Sequence, residues 1–351
     1  MKLGARMLKT GIAIILALYV AELLHIPAPV FAGIAAIFAI QPTIYRSYLS
    51  VLEQIQGNII GAILAIVFVL TFGNHFLIIG FAAIIAIIIM VKLKLENAIR
   101  LALVTIIAVM SAPTEDFLQF SVIRSSTILL GILSSFAVNL VFLPPKYETK
   151  LFQGISDVSE DIIKWMRLST RFASEDRLLK KELGTMKDRI GGNNQLYSMY
   201  KEERRYFKKS EYSNARKLVI YRQMIQVNQK SFDLLKLQHR YKNILFELPS
   251  ALQNSTREKL DYLLSYHEQL LQKFIGRVPQ EFELFNENIF NREQLMNAFL
   301  KEIKNNEVED EFQPFHLMHI LSAIVEYEEQ LEHLDKVIRI YQKYHHNNKK
   351  L

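Results

Sequence analysis

No cysteine occurs anywhere in the 351 residues, which excludes disulfides, thiolate metal sites and cysteine nucleophiles. No G-x-x-x-x-G-K-[ST] run occurs either, so the chain carries no Walker-type nucleotide site and is not powered by a nucleotide of its own. H-E-x-x-H is missing as well. His316 and His319, three apart on a helical stretch, could share one ion but have no matching third ligand. His345 and His346 read as part of a solvated tail. No enzymatic activity, cofactor or metal is expected.

Charge is the second scarcity, and it is local. Of 42 Lys and Arg residues only eight lie in residues 1–145, and of 35 Asp and Glu residues only five. Between them runs nearly continuous Ile, Ala, Leu, Val and Phe. That stretch reads as solvated by lipid and residues 146–351 as solvated by water. The net charge of +7 is modest; it could favour an anionic membrane surface and gives no argument for nucleic acid. Lys2, Arg6 and Lys9 ahead of an apolar run look like the start of a signal peptide. Glu22, His25 and two prolines follow without a small-x-small cleavage site, so an uncleaved first membrane helix is expected.

Six spans are expected, at about 10–24, 28–45, 50–72, 76–91, 97–112 and 119–142. Several are shorter than the ~20 residues of a straight spanning helix, which implies packing inside a bundle or a thinned bilayer. Lys2, Arg6 and Lys9, then Arg46, then Lys92 and Lys94, then Lys146 and Lys150 occupy alternate loops. The loops between hold no Lys or Arg, only Glu115 and Asp116. Both termini are thereby placed on the cytoplasmic side.

A repeat runs through these spans. Gln41-Pro42-Thr43 ends one apolar segment, and after a polar elbow the next opens Gln54-x-x-Gly57-x-x-x-Gly61. Ala112-Pro113-Thr114 ends another, and the next opens Arg124-x-x-Thr127-x-x-x-Gly131. Each unit holds three spans, an odd number, so the second copy must run inverted. Inverted repeats with proline-broken helices at matching places build the substrate sites of many secondary transporters. Each proline alone could equally end a helix at the interface. The small-xxx-small faces read first as close helix packing.

Glu22, Glu53, Gln54, Asn58, Arg100, Thr105, Arg124 and Asn139 are polar within these spans. A charge at a helix centre costs about 2.5–3.5 kcal/mol on insertion scales, so each needs a reason. Arg100 and Arg124 lie near span ends, where snorkelling to headgroups competes with a buried role. Arg124 takes the place of Gln54 in the second copy, where a cation could attract an anionic substrate or hold a carboxylate. Glu22 is the candidate partner or proton carrier, against a plain interfacial role. The candidate pathway is Gln41, Pro42, Thr43, Gln54, Asn58, Arg100, Pro113, Thr114 and Arg124.

The short spans, the Gln41-Pro42-Thr43 elbow, Gly57-Asn58-Ile59-Ile60-Gly61-Ala62 and a basic helical tail after Pro144-Pro145 together resemble the aromatic acid exporter family, in the branch with a large cytoplasmic C-terminal domain. More distantly they resemble the fusaric acid resistance-like transporters. The resemblance implies an efflux protein of the plasma membrane that handles aromatic carboxylates, and it carries over no catalytic residues.

From Tyr147 onward the pattern is helical almost throughout. Leu151, Ile155, Val158, Ile162 and Trp165 form one stripe, and Leu218, Tyr221, Ile225, Phe232 and Leu235 another. Gly191-Gly192-Asn193-Asn194 reads as a loop or hinge. Ile320, Ile324, Tyr327, Leu331, Leu334, Ile338 and Tyr341 step by fours and threes, a heptad seam expected in a bundle core before an intermolecular coiled coil.

The expected architecture is all-α: a transmembrane six-helix bundle of two inverted three-helix repeats (1–145), then a cytoplasmic helical bundle (146–351). The expected function is secondary efflux of organic anions, aromatic carboxylic acids first, driven by the proton motive force. The alternative is a membrane-anchored interaction or regulatory protein acting through its helical domain. Membrane lipid and a small organic anion are the expected partners, nucleic acid is not, and homo-oligomerisation stays open.

Overall fold

The structure, a computed structural model, describes residues 4–41, 43–111, 117–141, 147–206, 211–278, 292–305 and 313–346. Pro42, Pro113, Thr114 and the Pro144-Pro145 pair lie outside the described residues. Among the described residues there are thirteen α-helices, one 3-10 turn and no strand. Contacts divide the chain into two compact units, Met1–Pro145 and Lys146–Leu351.

The first unit holds α1 (Gly4–Leu23), α2 (Val30–Ala39), α3 (Ile44–Phe72), α4 (Phe76–Lys92), α5 (Ile99–Met110) and α6 (Phe117–Val141), with a 3-10 turn over Glu96–Ala98 leading into α5. The expected span 28–45 is not one helix. α2 stops at Ala39, Ile40 is extended (φ −72°, ψ 121°), and Thr43 opens α3 by accepting the Arg46 N–H on its hydroxyl. At 1.5 Å per residue α2 is about 15 Å long, half a hydrocarbon core. Among the described residues Tyr45–Phe72 and Gln119–Val141 are the helical stretches long and apolar enough to cross a membrane, with mean hydropathies of 2.2 and 1.6. Val30–Ala39 and Phe76–Lys92 are apolar but shorter.

α6 packs against α1, α2 and α3, while α3 packs against α4, α5 and α6. Between them lie small residues: Ala13, Ala17, Ala21, Ala32, Ala36, Ala82, Ala86 and Ala102 are wholly buried. Large apolar side chains point the other way, with Ile15, Ile63, Leu70, Phe81, Ile88 and Leu133 all more than half exposed. A water-soluble core has the opposite order. This one suits a hydrocarbon solvent, in which helices associate through close backbone approach and polar bridges rather than by hiding leucine.

Three small positions make that approach possible. A Cβ on Gly57 would lie 2.6 Å from that of Ala98, and one on Gly61 3.0 Å from the Ala102 carbonyl oxygen. A Cβ on Gly131 would enter the backbone of Ala32 on α2. We expect Gly131→Val to part α2 from α6 and to cost at least about 1–3 kcal/mol. Thermal unfolding of the purified full-length chain in detergent reads this directly; an unchanged melting temperature contradicts the contact.

The second unit holds α7 (Tyr147–Thr170), α8 (Asp176–Tyr206), α9 (Glu211–Arg240), α10 (Lys242–Glu247), α11 (Ser250–Phe274), α12 (Arg292–Asn305) and α13 (Gln313–His346). Here the large apolar side chains are inside. Leu151, Ile155, Val158 and Ile162 of α7 meet Ile220, Met224 and Val227 of α9, and the α13 seam from Ile320 to Ile338 is buried within the same core. The expected hinge at Gly191–Asn194 is instead the interior of α8. Asn193 donates its Nδ2 to the Gly154 carbonyl at 2.8 Å, and Asn194 donates to that of Ile190 at 3.3 Å. Docking on α7 outweighs the roughly 1 kcal/mol that each glycine takes from a helix.

α11 and α13 share a polar ladder inside the apolar core. Lys259 pairs with Glu328 (2.6 Å) and Lys273 with Asp335 (2.9 Å), all four nearly buried. On the same two helices His267 and Tyr327, both fully buried, share one hydrogen bond of 3.0 Å through Nδ1. Burial pushes the His267 imidazole down to about 3, so it is neutral in the fold and chargeable in the unfolded chain. Its contribution is complete above the unfolded value near 6.5 and is lost as pH falls below it. From pH 7.5 to pH 5 this group alone should remove about 2 kcal/mol. His267→Gln should flatten that slope in denaturation curves followed at both pH values.

Candidate functional site

Arg124 sits on the second turn of α6 and is 3% exposed. Its guanidinium lies over the ring of Phe31, on the first turn of α2. Nε, Nη1 and Nη2 are all buried and none has a hydrogen-bond partner among the described residues. Guanidinium does not give up its proton, so the site holds a full positive charge in an alanine-rich bundle. The ring satisfies one face through its quadrupole and leaves the in-plane N–H fork unmatched. That fork is shaped for a carboxylate taken edge-on by two parallel hydrogen bonds.

A polar clasp stands beside it. The Thr105 hydroxyl on α5 donates to Asn58 Oδ1 at 2.9 Å, and Asn58 Nδ2 donates to the Ser125 carbonyl at 3.2 Å. Ser125 follows Arg124, so α3, α5 and α6 are tied together at the level of the free charge. Gln54, one turn nearer the start of α3, donates to the Phe38 carbonyl (2.9 Å) and to Ser50 Oγ (3.0 Å), and its Oε1 is buried without a partner. The Phe38 carbonyl is one of those freed where α2 stops, so Gln54 serves as a cap for the broken helix.

The remaining candidates gather at the elbow. Thr43 is buried as the cap of α3, and the Gln41 side chain reaches Ser50 Oγ at 3.4 Å. Asn139 of α6 donates to the Gln41 carbonyl (3.1 Å) and to Ser47 Oγ (2.6 Å), while its own oxygen accepts from Lys9 Nζ (3.0 Å). One amide thus satisfies the elbow and links it to α1.

Arg100 and Glu22 lie apart from this group. Arg100 is exposed with its guanidinium 5.8 Å from the Phe38 ring centroid, as a snorkelling residue would be, whereas Arg124 does not snorkel. Glu22 is exposed on the last turn of α1 and forms no ion pair with Arg124, so that expected partnership is absent. Glu53 is half-buried and accepts from Asn97 at 2.9 Å. Phe31, Ser125 and Lys9 were not legible as site residues: each meets its partner from a distant part of the chain, and neither an apolar residue, a carbonyl nor a terminal lysine carries a motif. Among the described residues no group of three or more potential ligands is placed to hold a metal ion. His316 instead stacks on Tyr241, with ring centroids 4.5 Å apart.

Residues 1–142 match the model of a family described as aromatic acid exporter family member 1. UPF0421 protein YgaE of Bacillus subtilis is 49% identical over 345 residues, which is 98% of this chain and 97% of that one. A UPF0421 protein of Oceanobacillus iheyensis is 32% identical over 162 residues, 46% of either chain. Another, of Staphylococcus haemolyticus, is 29% identical over 223 residues, 60% of this chain and 65% of its own. With apolar helices long enough to cross a bilayer, an outward-facing aliphatic surface and near full-length similarity to a UPF0421 protein, this chain is a membrane protein that belongs to the aromatic acid exporter family.

Proposed function

We propose that the chain is a secondary efflux transporter for organic anions, with aromatic carboxylic acids as cargo and the proton motive force as its drive. The observation that carries this reading is Arg124: a permanent charge, buried in an alanine-lined bundle, its fork matched by nothing among the described residues. An unpaired buried charge costs several kcal/mol and persists only where something else uses it. A carboxylate is the complement of its free edge, and a flat ring suits a site that already stacks Phe31 on the guanidinium.

Two inverted three-helix repeats would supply the pathway. Exchanging α1, α2 and α3 with α4, α5 and α6 maps the packing of the unit onto itself: α2 on α6 becomes α5 on α3, and α1 on α6 becomes α4 on α3. The tight contacts follow the same exchange with a constant offset of 70 residues, Gly61 against Ala102 and Gly131 against Ala32. Gln54 and Arg124 are separated by that offset too. The six helices are proposed to cross the plasma membrane with both termini cytoplasmic, following the alternation of basic loops. Pro42, Pro113 and Thr114 are proposed pathway positions by sequence alone, and Glu22 the proton carrier. Lipid and the organic anion are the partners of this reading; nucleic acid is not.

Vesicles containing the purified chain, given an imposed pH gradient, test it. Flux of 4-hydroxybenzoate above empty vesicles is the expected result. No flux across a panel of aromatic acids removes the reading.

A further inference from the structure

The second unit carries a groove that the transport reading does not use. It runs between α9, which lines it from Lys230 to Arg240, and α13, which lines it from His319 to Glu326. Its volume of about 340 Å3 falls within the roughly 300–1,000 Å3 of small-molecule sites. Most such sites are walled by apolar and aromatic side chains. Here only Leu237 and Ala323 are apolar and the rest of the lining is polar or charged, so the groove suits a hydroxyl-bearing molecule better than a flat apolar ring.

The charges along it are sorted. At one end Lys230 reaches across to Glu326 at 2.5 Å, and the two cancel. Asp233, the next α9 residue of the lining, is half-buried and accepts from Gln229 Nε2 at 3.1 and 3.2 Å, a neutral partner that leaves its charge in place. Further along α9, Lys236 and Arg240 are both exposed, and neither forms an ion pair among the described residues. Four residues apart, they share one face of the helix. α13 runs antiparallel to α9, since Lys230 meets Glu326 while Tyr241 meets His319, so His319 stands at the end that holds the two free cations. Its ring is edge-on to Tyr241, 6.3 Å between centroids, and Tyr241 stacks on His316. Ser322 lies one turn further along α13, toward the level of Asp233. One half of the groove thus offers two free cations and an imidazole, and the other half a carboxylate and a hydroxyl.

We propose that this groove binds a soluble phosphomonoester of a polyol, a sugar phosphate: the phosphate meets Lys236, Arg240 and His319, and the hydroxyls meet Asp233 and Ser322. A phosphomonoester carries close to two negative charges near neutral pH, which the two unpaired cations match. A carboxylate repels phosphate and accepts from sugar hydroxyls, so Asp233 sets which way round the ligand lies. None of this depends on what the bundle carries.

Isothermal titration of the full-length chain in detergent with glucose 6-phosphate tests it. Saturable binding is expected, about tenfold or more tighter than that of inorganic phosphate or of glucose, since each of these fills only half of the groove. Lys236→Gln and Arg240→Gln should each raise the Kd about tenfold; both side chains are exposed, so both variants should melt as the parent does. Asp233→Asn should narrow the gap between glucose 6-phosphate and inorganic phosphate, because it removes both the repulsion and the stronger acceptor. Glycerophosphoglycerol, a diester with one charge such as a lipid headgroup presents, should bind about tenfold more weakly than glucose 6-phosphate. No saturable heat up to about 10 mM, an unchanged Kd in the folded Lys236 and Arg240 variants, or a diester that binds as tightly overturns the proposal. Flux measurements in vesicles are separate, so failure of either reading leaves the other standing.

Discussion

Arg124→Leu should lower pH-gradient-driven flux of aromatic acids by about a hundredfold or more while leaving the protein as stable as before, or more so. A charge-assisted, two-pronged contact to a carboxylate is worth up to about 3 kcal/mol, which at 1.4 kcal/mol per decade is two orders of magnitude. The stability half of the expectation has a separate origin. Arg124 has no partner among the described residues apart from the Phe31 ring, so leucine removes a desolvated charge and fills similar space. A residue that costs the fold and serves the cargo should show this opposite pair of effects. Arg124→Lys keeps the charge but loses the planar fork, and should fall between the two. If the bundle were only an anchor for an interaction domain, the substitutions would be silent in flux and in any function of the second unit.

The second large effect belongs to the other unit. Asp335→Leu should destabilise it by about 3–5 kcal/mol, because Lys273 would be left charged and nearly buried. Asp335 also accepts from Arg339 at 2.6 Å and helps hold the Tyr266 hydroxyl protonated, its pKa raised by burial first and by the carboxylate second. Combining Asp335→Leu with Lys273→Met should restore most of the loss, since a well-packed apolar pair replaces a desolvated ionic one at little net cost. Melting curves of the full-length variants, followed by Trp165, measure both. A single variant that melts with the parent would mean the lysine has found water.

Parts of this were legible in the chain because the signal was local. α3 and α6 announce themselves as long apolar runs, and the shared spacing of Gln54 with Gly61 and of Arg124 with Gly131 survives in sequence whatever the rest has become. The α13 seam reads from its fours and threes because each of its residues faces one core. Other parts were not legible because the deciding partner comes from far along the chain. Gly191-Gly192 has every local property of a hinge, and only the bond from Asn193 to Gly154 on α7 turns it into helix. Nothing around Phe31 marks it as the ring beneath Arg124. Nothing in His267 tells it from a solvated histidine until Tyr327 and the surrounding leucines close over it. Asn139 was recognised as a polar residue in an apolar span, but its work in gathering the carbonyl of the elbow depends on where α2 stops.

The central claim of the proposed function is that Gln54 and Arg124, both buried in this structure, line one anion passage and do not face lipid. The absence of cysteine makes a clean test available. Single cysteines at Gln54 and at Thr127, one turn along from Arg124, can be compared with cysteines at Ile63 and Leu133, which point outward. Membrane-impermeant thiol reagents should label the first two in vesicles, 4-hydroxybenzoate should protect them, and the outward pair should stay unlabelled because a thiolate does not form in hydrocarbon. Equal labelling of all four, or none at the inner pair with and without substrate, would contradict a passage through this bundle.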